Sequence, residues 1–460
     1  MECLPDDALL AVLGHLGNRD LLVCRVVCRH WCELVGHPDL WRRRTVSDLL
    51  LRLPPPCCRK LVLSYGNLGR IGYLASTTAC AATQLSITDL RVIDFHHAGD
   101  NFSSLGLAAI IVRQQASLGR LRKLSLSMTD QPEDHNILFD LYAVALGIEG
   151  LQELEFTDVE AGAWVETSWS AKELLLSSHP DWPVVQPSLQ VLMINYVALP
   201  FEVVELLLRT HAPTLKKLNT GYVLSETNKL AGLVSSIPNL QELWCMPMEG
   251  LEQLLECHTL RSLRIVIPTY CKYPETLGKT LSSTRSLLNS ATQLTHVAFD
   301  YRLCNEFEEE EWWGKDLVKS LGAALPSHVA SLEFDCVHYG ELGPVLVHLL
   351  DTAPHLPRLE KVVFGDLISA DQLRDLARGA PSLARLTVAS LDGCLCCSWR
   401  KVCDILNASP LLRLTIESDY CSDKCTNSCG CCVVKSTKGV TFKSASSIVQ
   451  HVSKTRRCKK

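Results

Sequence analysis

Two apolar periods divide the chain. Over the first forty-odd residues the leucines recur at helical spacing, with Leu9, Leu10, Leu13 and Leu16 on one face. Pro5 suits a first helical position, and Asp6 and Asp7 place negative charge at the positive end of that helix. Gly17-Asn18 reads as a stop and Asp20 as the N-cap of a second helix through Leu21, Leu22 and Val26. A third helix carries Trp31 and Leu34 and stops before Pro38. So small a unit has too little interior for Leu4, Leu9, Leu13, Leu16, Leu21, Leu22, Val26, Trp31, Leu40 and Trp41 together. Apolar surface is left over for a partner, unless the unit is simply a helical cap on a larger domain.

From Cys58 onward the pattern changes to Leu-x-x-Leu-x-apolar, followed by polar residues and then a leucine-rich helical segment. Clear copies are Leu121/Leu124/Leu126, Leu151/Leu154/Phe156, Leu189/Leu192/Ile194, Leu240/Leu243/Cys245 and Leu260/Leu263/Ile265. More follow at Leu294/Val297/Phe299, Val329/Leu332/Phe334, Leu359/Val362/Phe364 and Leu383/Leu386/Val388. Weaker ones stand at Cys58/Leu61/Leu63, Ala82/Leu85/Ile87, Leu215/Leu218 and Leu411/Leu414/Ile416. Independently, Pro187, Pro213, Pro238, Pro357 and Pro381 each precede a unit's first leucine by two residues, where proline ends a helix and hands extended chain to a strand. Strand, turn and helix at this period bury a core only by stacking on neighbours. A doubly wound α/β domain is the alternative reading of alternating strands and helices. The proline-led repeat favours a solenoid.

Both regions resemble known families. The first resembles the F-box, whose order of residues is matched by Leu4-Pro5-Asp6-Asp7, Leu9, Leu13, Leu16, Asp20-Leu21, Val27-Cys28-Arg29-His30-Trp31 and Leu40-Trp41. Asp7 stands where that family usually has glutamate. The second resembles the degenerate leucine-rich repeats that accompany many F-boxes. These resemblances imply an α/β chain: a short three-helix F-box followed by a right-handed leucine-rich-repeat solenoid, with parallel strands on the concave face and helices on the convex face. The expected boundaries are an F-box over 1–44, a linker over 45–57 stiffened by Pro54-Pro55-Pro56, a solenoid of about 11–13 irregular repeats over 58–418, and a cysteine-rich end with a basic tail over 419–460. The F-box resemblance further implies docking onto the Skp adaptor, and through it the cullin scaffold, by Leu4, Pro5, Asp7, Leu9, Leu13, Leu16, Leu21, Leu22, Val26, Trp31, Leu40 and Trp41.

Composition narrows the setting. The chain has 460 residues, 47% of them apolar and 21% charged, so its bulk reads as globular. A net charge of −5 argues against general nucleic-acid binding, and no apolar run approaches a membrane span. The first residues carry acid where a secretory signal carries positive charge. In that setting the 22 cysteines read as reduced thiols of the cytoplasm or nucleus rather than disulfides. Nine of them crowd between Cys394 and Cys432. Cys421, Cys425, Cys429, Cys431 and Cys432 are weak metal candidates, because their spacing fits no paired Cys-x-x-Cys template. No phosphate loop, His-Glu-x-x-His or Gly-x-Ser-x-Gly motif occurs, so no catalytic residue and no cofactor is expected.

Specificity is then expected on the strand residues that point away from the core: Lys123, Glu153, Glu155, Glu242, Trp244, Met246, Arg264, Asp300, Glu333, Asp335 and Lys361. Trp244, Met246 and Arg264 are of types that anchor interfaces. Asp300, Glu333 and Asp335 would gather on adjacent strands and attract a basic segment, extended by the acidic run Glu306–Glu311 beside Trp312-Trp313. The expected role is that of a non-catalytic substrate receptor of a Skp–cullin–F-box ubiquitin ligase, binding an unknown protein substrate. The alternatives are a leucine-rich interaction scaffold without a ligase role, and a metal- or redox-responsive receptor using the C-terminal cysteines.

Overall fold

The structure is a computed structural model. It describes residues 4–47, 58–64, 87–93, 104–128, 144–158, 185–195, 199, 201–221, 227–267, 274–301, 314, 316–323, 328–335, 343–391, 395–418 and 438–442. The chain forms two compact units, Met1–Val223 and Leu224–Lys460.

The first unit opens with four short helices: α1 (Asp6–Gly14), α2 (Asn18–Cys24), α3 (Arg29–Val35) and α4 (Pro38–Trp41). Three of them follow the leucine spacing. The fourth differs from expectation because Pro38 does not merely end α3. Proline's fixed φ and missing N–H suit a helix start, and here they open a single further turn. Two caps also move. Pro5 is the N-cap of α1, its carbonyl accepting from the Ala8 and Leu9 amides, and Gly17 rather than Asp20 caps α2.

Seven parallel strands follow in the first unit: β1 (Thr45–Ser47), β2 (Lys60–Ser64), β3 (Asp89–Ile93), β4 (Lys123–Met128), β5 (Glu153–Asp158), β6 (Val191–Asn195) and β7 (Lys217–Asn219). Helix α5 (Ser104–Ser117) lies between β3 and β4, and α6 (Phe201–His211) between β6 and β7. Two differences from the sequence reading stand out. Thr45–Ser47 is not linker but a strand paired with β2. The third strand begins at Asp89, with Leu90 buried within it and Ile87 buried two residues before it, so Ile87 and Leu90 lead this unit, while Ala82 and Leu85 lie outside the described residues. An apolar-rich stretch allows more than one frame of a two-residue alternation, and pairing with β2 and β4 selects one.

The second unit holds α7 (Thr227–Ser235), β8 (Glu242–Cys245), a 3-10 turn (Leu251–Glu256), β9 (Ser262–Val266), α8 (Pro274–Ser290), β10 (His296–Asp300) and α9 (Leu317–Ala323). It continues with β11 (Ser331–Asp335), α10 (Gly343–Thr352), β12 (Lys361–Ile368), α11 (Ala370–Gly379), β13 (Arg385–Leu391), α12 (Leu395–Ala408) and β14 (Arg413–Ser418). Strands β8 to β14 are parallel, with one register shift between β12 and β13 after Phe364, and a last strand, β15 (Lys438–Phe442), runs antiparallel to β14. Consecutive helices α8 to α12 pack on one another alongside. The fold is thus mixed α/β with parallel strands after a helical N-terminus, consistent with a solenoid.

The core is the repeat pattern made physical. Leu124/Leu126, Leu154/Phe156 and Leu192/Ile194 are buried in the first unit. Leu243/Cys245, Leu263/Ile265, Val297/Phe299, Leu332/Phe334, Val362/Phe364, Leu386/Val388 and Leu414/Ile416 are buried in the second. Phe299, Phe334 and Phe364 stack from strand to strand with centroids 5.7 and 5.2 Å apart, a continuity no single repeat provides. The last copy slips by one: Leu412 is buried and Leu411 is 80% exposed.

Candidate functional site

The helical N-terminus closes its own small interior. Leu13, Leu21, Cys24, Leu34, Val35, Leu40 and Trp41 are buried, and the Trp41 indole donates to the Val35 carbonyl at 2.6 Å. Arg44 ties the helices together. Its guanidinium donates to the carbonyls of Leu16 at 2.7 Å, Gly14 at 3.0 Å and Leu40 at 2.5 Å, and to Asn18 Oδ1 at 3.1 Å. These bonds satisfy carbonyls that the ends of short helices leave open. The sequence reading missed Arg44, because a carbonyl staple has no periodic signal.

Of the twelve residues expected to face an adaptor, Leu13, Leu21, Leu40 and Trp41 are therefore interior. Their apolar character folds the unit, and they offer no surface. Leu9, Leu16, Leu22 and Trp31 are partly exposed, and Leu4, Pro5, Asp7 and Val26 are exposed. Val23 and Val27, also exposed, were not in the expected set. The amides of Val26 and Val27 donate to the carbonyls of Val23 and Cys24, so the helical turn continues past α2. Val23, Val26 and Val27 at i, i+3 and i+4 then share one face. That spacing was readable in the sequence. Val26 is 81% exposed, unusual for a valine whose neighbours Leu21 and Cys24 are buried.

On the strand face away from the core, the first unit pairs its charges across neighbouring strands. Lys60 lies 3.6 Å from Asp89, and Lys123 bonds Glu153. Lys60, Arg91, Ser125, Glu155 and Met193 line a shallow depression of about 200 Å³ there.

The second unit gathers the expected anchors into one cluster. Arg264 on β9 lies over the Trp244 ring, 4.7 Å from its centroid. Its guanidinium bonds Asp335 at 2.5 Å and Glu333, and stands 3.9 Å from Asp300. Asp300 and Asp335 face each other in register on β10 and β11, an arrangement of like charges that a cation must offset. Burial works against the charge on Arg264, but the hydrogen bond to Asp335 and the negative charges of Glu333 and Asp335 outweigh it and hold its pKa above the ordinary value. His296 lies 3.8 Å from Glu333, its pKa lowered by burial and by Arg264 and Lys361 against the opposing pull of Glu333. Met246 is half-buried just past the end of β8, the strand that carries Trp244.

The expected open acidic patch is thus corrected: its carboxylates are turned inward onto Arg264 rather than left for a basic segment. Gly365 contributes to this geometry and was overlooked. A Cβ there would sit 2.9 Å from Asp335 Oδ1 and 3.3 Å from its Cα, so any larger residue would require Asp335 to shift. The acidic run 306–311 and Trp312-Trp313 lie outside the described residues, as do Pro54-Pro55-Pro56 and Cys421, Cys425, Cys429, Cys431 and Cys432.

Among the described residues, no group of three or more His, Cys, Asp and Glu is placed to hold a metal ion, and no helix is long and apolar enough to cross a membrane. Burial pushes the Cys245 thiol up to about 12 and raises that of Cys403, with Asp404 adding to the latter. Such thiols are poor nucleophiles at neutral pH.

Comparison with known proteins bears on one end of the chain. No curated protein sequence is detectably similar to it. A TLR13–ssRNA13 complex is a structural neighbour, covering 76% of this chain and 49% of that one at 12% identity with a TM-score of 0.29, too low to carry an argument. The F-box-like family model matches residues 1–47, ending at the last residue of β1. The four helices stapled by Arg44, together with β1, are an F-box-like domain.

Proposed function

We propose that this protein is a non-catalytic substrate receptor of a Skp–cullin–F-box ubiquitin ligase. The helical domain docks on the Skp adaptor through Leu4, Pro5, Asp7, Leu9, Leu16, Leu22, Val26 and Trp31, with Val23 and Val27 added to that face. Leu13, Leu21, Leu40 and Trp41 support it from within. The strands after it form a right-handed solenoid whose concave face, Trp244, Met246 and Arg264 included, binds a protein substrate. Ubiquitin transfer then follows from proximity, as the complex holds a substrate lysine near a loaded conjugating enzyme, and degradation by the proteasome is the outcome. This setting is cytoplasmic or nuclear.

The observation that carries the reading is the F-box-like domain whose interior is complete while Val23, Val26 and Val27 stay exposed on one helical turn. A satisfied core has no use for three outward valines, and a partner does. Co-purification of the full chain with the Skp adaptor tests this. Val26→Asp is expected to weaken adaptor binding at least tenfold while the circular dichroism and melting temperature stay unchanged, because the side chain is outside the core. Undiminished adaptor binding by the Val23→Asp/Val26→Asp double variant would overturn the reading.

A further inference from the structure

The charge pattern along the strand face is uneven in one place. Lys60, Asp89, Lys123 and Glu153 occupy matching positions on β2 to β5, where signs alternate and neighbours pair. The matching positions on β12, β13 and β14 are Lys361, Arg385 and Arg413, directly in register with one another. Here the sign does not alternate. Arg385 and Arg413 are exposed and Lys361 is partly so. Among the described residues none of the three makes an ion pair. Glu333, two positions along on the strand beside Lys361, is turned to Arg264 instead. Glu360 and Glu417, the acidic residues beside the row, are exposed and form no ion pair with it.

Like charges directly opposite across strands oppose folding. Lysines that protect a sheet edge are no explanation, since this row crosses three strands on a face and the edge of β14 is covered by β15. A row of cations that costs stability and, among the described residues, has no ion-pair partner is suited to an external anion. Adjacent strands lie about 4.8 Å apart, so the row spans roughly 10 Å, the reach of a four-residue extended segment. Leu411, exposed in the turn two residues before Arg413, adds an apolar contact at one end of the row. Thr387, partly exposed beside Arg385 on β13, adds a hydroxyl.

We infer that Lys361, Arg385 and Arg413 are the docking row for an acidic, extended segment of a protein partner, one that also carries an apolar residue for Leu411. The segment runs across β12 to β14, its carboxylates taken by the three cations. This rests on the reading of the strand face as the partner-binding part of a receptor and names the chemistry of what it takes.

The test uses the full chain and a fluorescein-labelled (Glu-Gly)6 peptide, with (Lys-Gly)6 and a twelve-nucleotide oligothymidylate as comparisons, read by fluorescence anisotropy. The acidic peptide is expected to bind and the basic one not. Arg385→Glu is expected to weaken binding at least tenfold, whereas Lys216→Glu, the same charge change on an exposed residue of the other unit, changes it less than twofold. Arg385→Glu is also expected to hold or raise the melting temperature, because it removes two like-charge neighbours. Equal losses in the two variants, or no binding by the unaltered chain, would overturn the inference. Oligothymidylate binding as tightly, with the same loss in Arg385→Glu, would replace the acidic segment with nucleic acid and overturn it too. Adaptor co-purification of Arg385→Glu is read in parallel. Its retention separates failure of this row from failure of the receptor reading.

Discussion

Arg264 shows how one residue can reverse the meaning of its neighbours. Three carboxylates on β10 and β11 look like bait for a basic partner until the guanidinium from β9 is placed among them, with its other face on Trp244. Its side chain is 18% exposed, so losing it strands charges that water reaches poorly. Arg264→Gln is expected to destabilise the second unit by about 3 kcal/mol in urea denaturation followed by circular dichroism, and Arg264→Lys by roughly half as much, since lysine keeps the charge but not the two-pronged geometry. His211 supplies a pH dependence in the first unit. Its Nδ1 accepts from the Ser188 and Leu189 amides at 3.2 and 3.4 Å, and burial lowers its pKa from 6.5 to about 4. The folded chain holds the neutral ring, whereas the unfolded chain takes up a proton below pH 6.5. The contribution is therefore full above pH 6.5 and falls away as pH drops towards 4, where the loss is about 3 kcal/mol. Melting curves of the unaltered chain and His211→Gln should differ least at pH 4 and most at pH 7. The types and positions of these residues were legible, but their partners were not: Arg264 and Asp335 are far apart in sequence, and no local pattern announces a contact across an intervening strand.

At the scale of elements the repeat was legible wherever its own chemistry was strong. Strands β4, β5, β6 and β8 to β13 begin where Leu-x-x-Leu-x-apolar puts them, and Pro187, Pro213, Pro238, Pro357 and Pro381 lie in the bends or turns before strands. Helix α11 opens with a Ser369–Gln372 capping box, a local device that fixes its start. The elements missed are those without the signature. Strand β1 has no leucine and exists because Thr45, Val46 and Ser47 pair with β2. Strand β15, Lys438-Gly439-Val440-Thr441-Phe442, lies in the stretch that reads as a cysteine-rich end with a basic tail and is fixed by antiparallel pairing with β14. Its position at the end of the sheet gives it a protective role, because an uncovered strand offers its backbone to other chains. A chain ending at residue 437 is expected to form high-molecular-weight aggregates at micromolar concentration, measured by light scattering, whereas one ending at residue 448 stays monodisperse.

For the whole molecule, a net charge of −5 argued against general nucleic-acid binding. The family match at residues 1–47 bears on the helical N-terminus alone. What the sequence by itself determined was the pair of periods: a short leucine-spaced helical unit, then strand and helix alternating with proline punctuation. Those are properties of neighbours along the chain, set by backbone geometry and by the side-chain spacing of helices and strands. What only the tertiary structure decided was which apolar residues are spent on the interior and which charges are spent on each other. Leu13 and Trp41 are consumed within the helical unit while Val23, Val26 and Val27 are left outside. Arg264 is consumed by Asp300, Glu333 and Asp335, whereas Lys361, Arg385 and Arg413 are aligned by register with no such partner among the described residues. Burial and charge pairing depend on distances through space between residues remote in sequence, and only the assembled sheet fixes those distances.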